Sequence, residues 1–233
     1  MSHHTELLPD PLPAEPLLVV NRWLADSWHL RQQPNPNSMV IATVGQDGQP
    51  AARVVLCKEL VPQPGYLVFY TNYLSRKGRQ LAENPRAAAV MHWDALHRQV
   101  RVEGQVVKAP EAASDAYFAS RPWQSRLGAW ASAQSEPIAS RKDLYAAVLN
   151  MAQRFGTPLP DAVSAVTGDI NVPRPPHWGG YQLWAESVEL WVEGDARIHD
   201  RARWTRSLTR RTDPQTGETV LDPGPWTSTR LQP

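Results

Sequence analysis

The chain has 233 residues, with 24 Lys and Arg against 23 Asp and Glu and a formal net charge of +1. Broad attraction to nucleic acid is therefore excluded as its organising property, and any anion preference has to come from local arginines. Hydrophobic content of 42% is enough for the core of one large domain. No apolar run reaches membrane-spanning length and no signal-peptide core follows the N-terminus, so a soluble, cytoplasmic protein is expected. Cys57 is the only cysteine, which rules out an internal disulfide and a cysteine-built zinc cage.

Residues 1–15 are polar and proline-punctuated and are expected to form a mobile arm, followed by a single domain over 16–233. From Pro16 the pattern is helical, with Leu17, Val20, Leu24 and Trp28 on one face. At Ser38 the period changes to two. Strands are expected over 38–44, 51–60 and 66–71, with hairpin chemistry at Gln46-Asp47-Gly48. This is an antiparallel meander, and no glycine-rich phosphate loop is present. A short helix over 75–83 has Ser75 as its N-cap. Further strands are expected over 87–93 and 98–107, helices over 110–120 and 140–155, and a long loop over 156–176. A strand pair follows over 181–184 and 188–192. A polar hairpin over 212–224 and a last strand over 226–231 close the chain. About eight strands with helices between them give a mainly β, α+β fold: an antiparallel split or closed β-barrel with packed helices.

Three places carry candidate chemistry. The helix after Ser75 begins with Arg76 and Lys77, the wrong sign for a helix N-terminus, where the dipole favours anions. A bound phosphate would remove the conflict, and so would two side chains pointing into water. In the stretch YFASRPWQSRLGAWASAQS, Tyr117 and Arg121 are four apart and share a helical face until Pro122 interrupts it. Ser125 follows on the next turn, and phenol, guanidinium and hydroxyl together make a phosphate clamp. Arginine before proline is also an ordinary helix end with a solvated charge. Finally, Arg197, His199 and Arg201 would lie on one face of an extended segment, where they repel unless something anionic or electron-rich lies opposite. Gln99 falls on the polar face of its strand.

These residues lie within separated motifs: PNPNSMVIATV, RVVLCK, FYTNYLSRKGRQLAENP, RQVRVEG, YFASRPWQSRLGAWASAQS, PRPPHWGGY, ELWVEGDARIHDR and the terminal RLQP. In this order the chain, from about Pro16 to Pro233, resembles the pyridoxine/pyridoxamine 5′-phosphate oxidases, FMN-binding split-barrel flavoproteins. The resemblance implies a homodimer with FMN at its interface, oxidising pyridoxamine or pyridoxine 5′-phosphate with O2 as acceptor. FMN would be held by Arg53, Lys58, Tyr70, Thr71, Arg76, Lys77, Gln99, Gln134, Ser135, Trp191 and Arg201. The substrate phosphate would be held by Lys58, Tyr117, Arg121 and Ser125, with Arg197 and His199 as the catalytic pair facing the ring and the carbon being oxidised. Partners are thus a small-molecule substrate and O2, with no nucleic acid, membrane or metal.

The chain departs from the family's pattern at four points. Cys57 replaces an aliphatic residue and reads as a small apolar substitute. The loop before PRPPHWGGY is long, the hairpin over 212–224 is inserted, and ELW stands where EFW is common. One difficulty is geometric: Arg53 and Lys58 are an odd number apart, so one regular strand would point them to opposite faces unless a bulge intervenes. Three other functions fit part of the pattern. They are a paralogous FMN oxidase acting on another aromatic ring such as a phenazine precursor, a non-catalytic flavin- or pyridoxal-phosphate-binding protein, and a basic-surface module using the arginines over 197–211.

Overall fold

The computed structural model describes residues 6–158, 170–214, 217 and 219–233. Helix α1 (Pro16–Leu30) opens the domain. The meander follows as β1 (Ser38–Val44), β2 (Pro50–Leu56), β3 (Glu59–Val61) and β4 (Tyr66–Asn72). Helix α2 (Arg76–Glu83) leads to β5 (Arg86–Trp93) and β6 (Arg98–Lys108), then to α3 (Glu111–Ala119), α4 (Trp123–Ala131) and α5 (Arg141–Phe155). The chain ends with β7 (Trp178–Val192), β8 (Asp200–Thr205), the hairpin β9 (Leu208–Thr212) and β10 (Thr219–Pro223), and β11 (Thr227–Leu231).

Nine strands form one antiparallel sheet with the path β11-β8-β7-β6-β5-β1-β2, while β4 joins both β3 and β7. The chain passes from β2 into β3 through Cys57 and Lys58. That corner hands it from β1 to β4, where Lys58 N–H donates to Val68 O (2.8 Å), and the curled sheet returns on itself. The result is the split barrel expected from the sequence. The corner also resolves the parity of Arg53 and Lys58, because the regular strand ends at Leu56 and alternation does not extend to Lys58. Cys57 is buried in this corner, and burial pushes its thiol up to about 12.

The expected pair 181–184 and 188–192 is instead one 15-residue strand, β7. One edge of β7 pairs with β6 throughout, across a bulge at Glu103/Gly104. Its other edge is shared: residues 178–184 pair with β4, and residues 187–192 pair with β8. The split in the barrel lies between these partners, where Ala185 N–H still donates to Gly65 O (3.1 Å) but the Ala185 carbonyl would be left open. Arg206 fills the fork. Its Nε donates to Ala185 O (2.8 Å) and its Nη2 to Gly65 O (2.9 Å), with the guanidinium 4.2 Å from the Trp226 ring. Burial draws its pKa down to about 10.

The core lies inside this curl, with Ile41, Phe69, Val100, Leu183, Leu190 and Trp204 fully buried. Helix α1 contributes Leu17, Val20 and Trp23, and its buried stripe continues to Ser27; Trp28, expected on that face, is half exposed. Residues 1–5 of the expected arm lie outside the described residues. The rest of it, 6–15, is tied down: Leu8 is buried and Trp204 Nε1 donates to Pro13 O (2.7 Å). Helices α4 and α5 build a second, small core around Leu127, Ala152 and Val172. Of the expected loop over 156–176, residues 159–169 lie outside the described residues, as do 215, 216 and 218 of the hairpin. No helix among the described residues is long and apolar enough to cross a membrane.

A Cβ added at Gly104 would collide with the carbonyl oxygen of Trp184, directly beside the fork. Backbone there has little room to yield, because β6 and β7 both pass through the bulge. Gly104→Ala is therefore expected to cost about 2–4 kcal/mol, read as a lowered urea midpoint; an unchanged midpoint would contradict the close approach.

Candidate active site

A cavity of about 700 Å³ opens on the outer face of the barrel, between β2, β4 and the α3–α4 connection. Its wall is aromatic: Tyr70 and Tyr117 stack at 4.0 Å with 17° between their planes, and Trp178 lies parallel to Tyr117 at 6.2 Å. Glycine makes this layer possible. A side chain at Gly180 would meet the Tyr70 ring, and one at Gly179 would strike the Tyr73 hydroxyl.

Helix α3 ends at Ala119 and α4 starts after Pro122, so the expected kink is a junction of two helices. Tyr117, Arg121 and Ser125 all face the cavity from that junction, as the clamp reading requires. The Arg121 guanidinium lies 4.7 Å from the Trp178 ring, and burial lowers its pKa. Its Nη1 is buried with no hydrogen-bond partner among the described residues. A buried donor left unpaired costs about 1–3 kcal/mol, so this atom is suited to an acceptor supplied by a ligand. Lys58 enters the same cavity, with Nζ 5.8 Å from the Tyr117 ring.

Lys77 lines the other wall, with Arg53 near it and Arg76 near Arg53. Ser75 caps α2 through Gly78 N–H, as expected, and the first turn of the helix carries no acid. Lys77 is buried there; its Nζ donates to Gln134 Oε1 (2.8 Å) and to Ser75 Oγ (3.1 Å). Thr71 Oγ1 also donates to Gln134 Oε1 (3.2 Å). Burial, reinforced by the charge of Arg53, draws Lys77 down to about 8. Burial and then Arg76 lower Arg53, which donates to Thr43 Oγ1 and Gln80 Oε1. Among the described residues no carboxylate bonds to Arg53 or Lys77, and the group fits a phosphate: several donors, a helix N-terminus and unbalanced positive charge. Arg76 itself is exposed, and Ser135 follows Gln134 on an exposed turn with φ 76°.

The remaining expected residues lie elsewhere. Gln99, Trp191 and Arg201 form one row across β6, β7 and β8, with Gln99 opposite Trp191 and Trp191 opposite Arg201. Trp178 and Trp191 are 13 steps apart on β7, roughly 40 Å at strand rise. One copy of the chain therefore holds two separate clusters. The expected extended segment 197–201 is also corrected. Residues Asp195–Arg197 form a short 3-10 turn in which Ala196 (φ 52°) and Arg197 (φ 65°) are left-handed, and β8 begins only at Asp200. Arg197, His199 and Arg201 are thus not three residues of one strand face. His199 packs 4.7 Å from the Trp191 ring, and its Nδ1 accepts from Gly194 N–H (3.2 Å), which leaves Nε2 as the donor of the neutral ring. Arg201 is held by buried Glu189 (2.8 Å), which also pairs with Arg101 (3.2 Å).

Sequence reasoning did not single out Trp178 or Asn72, which also line the cavity. The glycine pair after Trp178 was the available signal, because glycines inside a strand mark close approach.

Fold and cavity together define a split-barrel protein with an aromatic cavity lined by cations. Residues 29–153 match the family described as pyridoxamine 5′-phosphate oxidase, and residues 178–233 match the pyridoxine 5′-phosphate oxidase C-terminal dimerisation region. The chain belongs to the pyridoxine/pyridoxamine 5′-phosphate oxidase family. Similar curated proteins of that name include one from Burkholderia orbicola (strain MC0-3), 44% identical over 219 residues, covering 94% of this chain and 89% of the relative. Another, from Paracoccus denitrificans (strain Pd 1222), is 45% identical over 196 residues, covering 83% and 82%. Among solved structures, PhzG from Burkholderia lata 383, in complex with tetrahydrophenazine-1-carboxylic acid, is 28% identical with a TM-score of 0.77, covering 98% of both chains. A pyridoxamine 5′-phosphate oxidase-related, FMN-binding protein from Nostoc punctiforme PCC 73102 shares the fold at 17% identity and a TM-score of 0.62, covering 90% of this chain and 95% of that one.

Lys77 gives a testable pH dependence. Its folded-state value of about 8 lies below the ordinary 10.5, so between these values the unfolded chain binds the extra proton and stability rises with pH. Lys77→Met is expected to remove that rise relative to the unsubstituted protein, measured by urea unfolding at several pH values across this window. Parallel curves for the two proteins would refute it.

Proposed function

We propose that the chain is an FMN-dependent oxidase that converts pyridoxamine or pyridoxine 5′-phosphate to pyridoxal 5′-phosphate, reducing O2 to hydrogen peroxide. The observation that carries this reading is the buried, unpartnered Arg121 Nη1, set beside Tyr117 and Ser125 in one cavity. Bound FMN would supply the redox chemistry between the 4′ carbon and O2.

The chain's own residues supply binding and orientation. Arg53, Arg76 and Lys77, with Thr71 and Gln134, would hold the cofactor phosphate, while Lys58, Tyr117, Arg121 and Ser125 would hold that of the substrate. Fixing the substrate at its phosphate makes the reacting encounter effectively intramolecular. Arg197 and His199 would face the ring, His199 offering Nε2–H. Gln99, Trp191 and Arg201 would contact the flavin from a second copy. All of the second cluster except Gln99 falls within residues 178–233, the region matched to dimerisation, which supports a homodimer whose two copies complete each other's sites.

The likeness to PhzG favours a second reading, oxidation of a phenazine precursor on the same scaffold. A carboxylate can also pair with Arg121, but Tyr117, Arg121, Ser125 and Lys58 together offer donors to all three terminal oxygens of a doubly charged phosphate, and this favours the phosphorylated substrate. Peroxide formation from each candidate substrate by the flavin-loaded protein separates the two readings, and peroxide from neither would favour a non-catalytic binding protein. Arg121→Ala is expected to raise KM for the phosphorylated substrate about 10- to 100-fold with kcat nearly kept, because a phosphate contact is made in ground and transition states alike. A loss confined to kcat would contradict the clamp. Arg197→Ala is expected to retain FMN, seen in its absorption spectrum, and to lose most turnover; undiminished turnover would remove Arg197 from the mechanism.

A further inference from the structure

Both ends of the described chain converge on the segment carrying His199 and Arg201. The N-terminal stretch reaches it through Asp200, whose Oδ2 accepts from Leu8 N–H (2.8 Å). Arg230 donates from Nη1 to Asp200 Oδ1 (2.6 Å) and from Nη2 to Pro9 O (3.0 Å), closing a three-way junction. The C-terminal residues reach the segment through Arg201, whose Nη1 donates to Gln232 O (2.9 Å). Buried Leu8 and the Trp204–Pro13 hydrogen bond fix the strap on either side of the junction.

Asp200 and Arg201 are consecutive strand residues, so their side chains leave opposite faces. Arg201 goes to Glu189, and Asp200 goes to the strap and Arg230. Asp200 therefore does not compete for anything bound on the His199–Arg201 side. The loop between Val192 and Asp200 is held at its start by Glu193, whose N–H donates to His97 O (2.9 Å) and whose carboxylate pairs with His97 Nδ1. Beyond Glu193 it contains two left-handed residues, its Ile198 is 74% exposed, and it is held by Gly194 N–H to His199 Nδ1, Ile198 N–H to Asp195 O and the packing of His199 on the Trp191 ring. One end of the loop is fixed by β7, and the other is fixed by Asp200.

We infer that Asp200 is a positioning residue: by tying the N-terminal strap and Arg230 to the first residue of β8, it sets where Arg197 and His199 stand. The inference rests on the roles given above to Arg197 and His199, whereas its restraint on the loop is independent of any ligand.

The test compares Asp200→Ala, Asp200→Asn and Arg230→Met in the flavin-loaded protein, with hydrogen exchange measured alongside kinetics. Asp200→Ala is expected to lower kcat about tenfold while KM for the phosphorylated substrate stays within about threefold, because the clamp sits at the other end of β7. Exchange should quicken in the loop 194–199 and in the strap 6–13, with the core strands unchanged. Asp200→Asn keeps an acceptor for Leu8 and should fall between, which also covers the case in which Asp200→Ala does not fold. Arg230→Met should share part of the same loss, so that the double variant is less than additive. Unchanged kcat, or exchange that rises uniformly across the sheet, would make Asp200 a general stabilising residue and overturn the inference. If the unsubstituted protein oxidises no such substrate, the exchange measurements still decide the restraint, and the functional reading is what fails.

Discussion

The architecture depends on one strand serving two partners along the same edge. β7 gives its first half to β4 and its second half to β8, and the barrel can part only where those partners diverge. Such a divergence leaves the Ala185 carbonyl without a ladder, a cost the fold meets with the forked guanidinium of Arg206, backed by Trp226. On the opposite edge, Gly104 lets β6 bulge past the same place. The two devices act together: one closes the polar gap, and the other lets the neighbouring strand follow the bend.

The same strand separates the two side-chain clusters. Its first half presents Trp178 and the glycine pair to the aromatic cavity, and its second half presents Trp191 to the row with Gln99 and Arg201. Each cluster concentrates positive charge, but the balance differs. In the second, Glu189 and Glu103 already balance Arg201 and Arg101. Around Lys77 and Arg53, burial first and then cation–cation repulsion lower both pKa values, and among the described residues no acid bonds to either. Ligands that bind only the folded state stabilise it, so a phosphate at that wall would couple loading to stability.

Much of this was legible in the residues. Period-two segments and hairpin chemistry located β1, β4, β5 and β6 to within a residue or so, because their alternation is regular and their turns are strong. The conflict at the start of the helix pointed to a pair that the structure divides, with Lys77 buried at the cavity and Arg76 exposed, while Tyr117, Arg121 and Ser125 line one cavity. Three things were not legible. The corner at Cys57 breaks what reads as one strand over 51–60, because pairing with β4 rather than local preference decides where β2 ends. Ala185 and Glu186 read as an interruption of β7, since periodicity does not reveal a change of partner. Arg197 reads as strand, yet two successive left-handed residues turn the backbone there, a conformation neither alanine nor arginine advertises.

The corner at Cys57 has a practical consequence. The only thiol in the chain is 3% exposed, is bonded to Glu59 O (3.2 Å) and stays protonated well past neutral pH. Reagents that attack thiolate find nothing to modify while the barrel is closed. Alkylation of this sulfur therefore times the opening of the β2–β3 turn, giving the molecule an intrinsic clock for local unfolding without any added label.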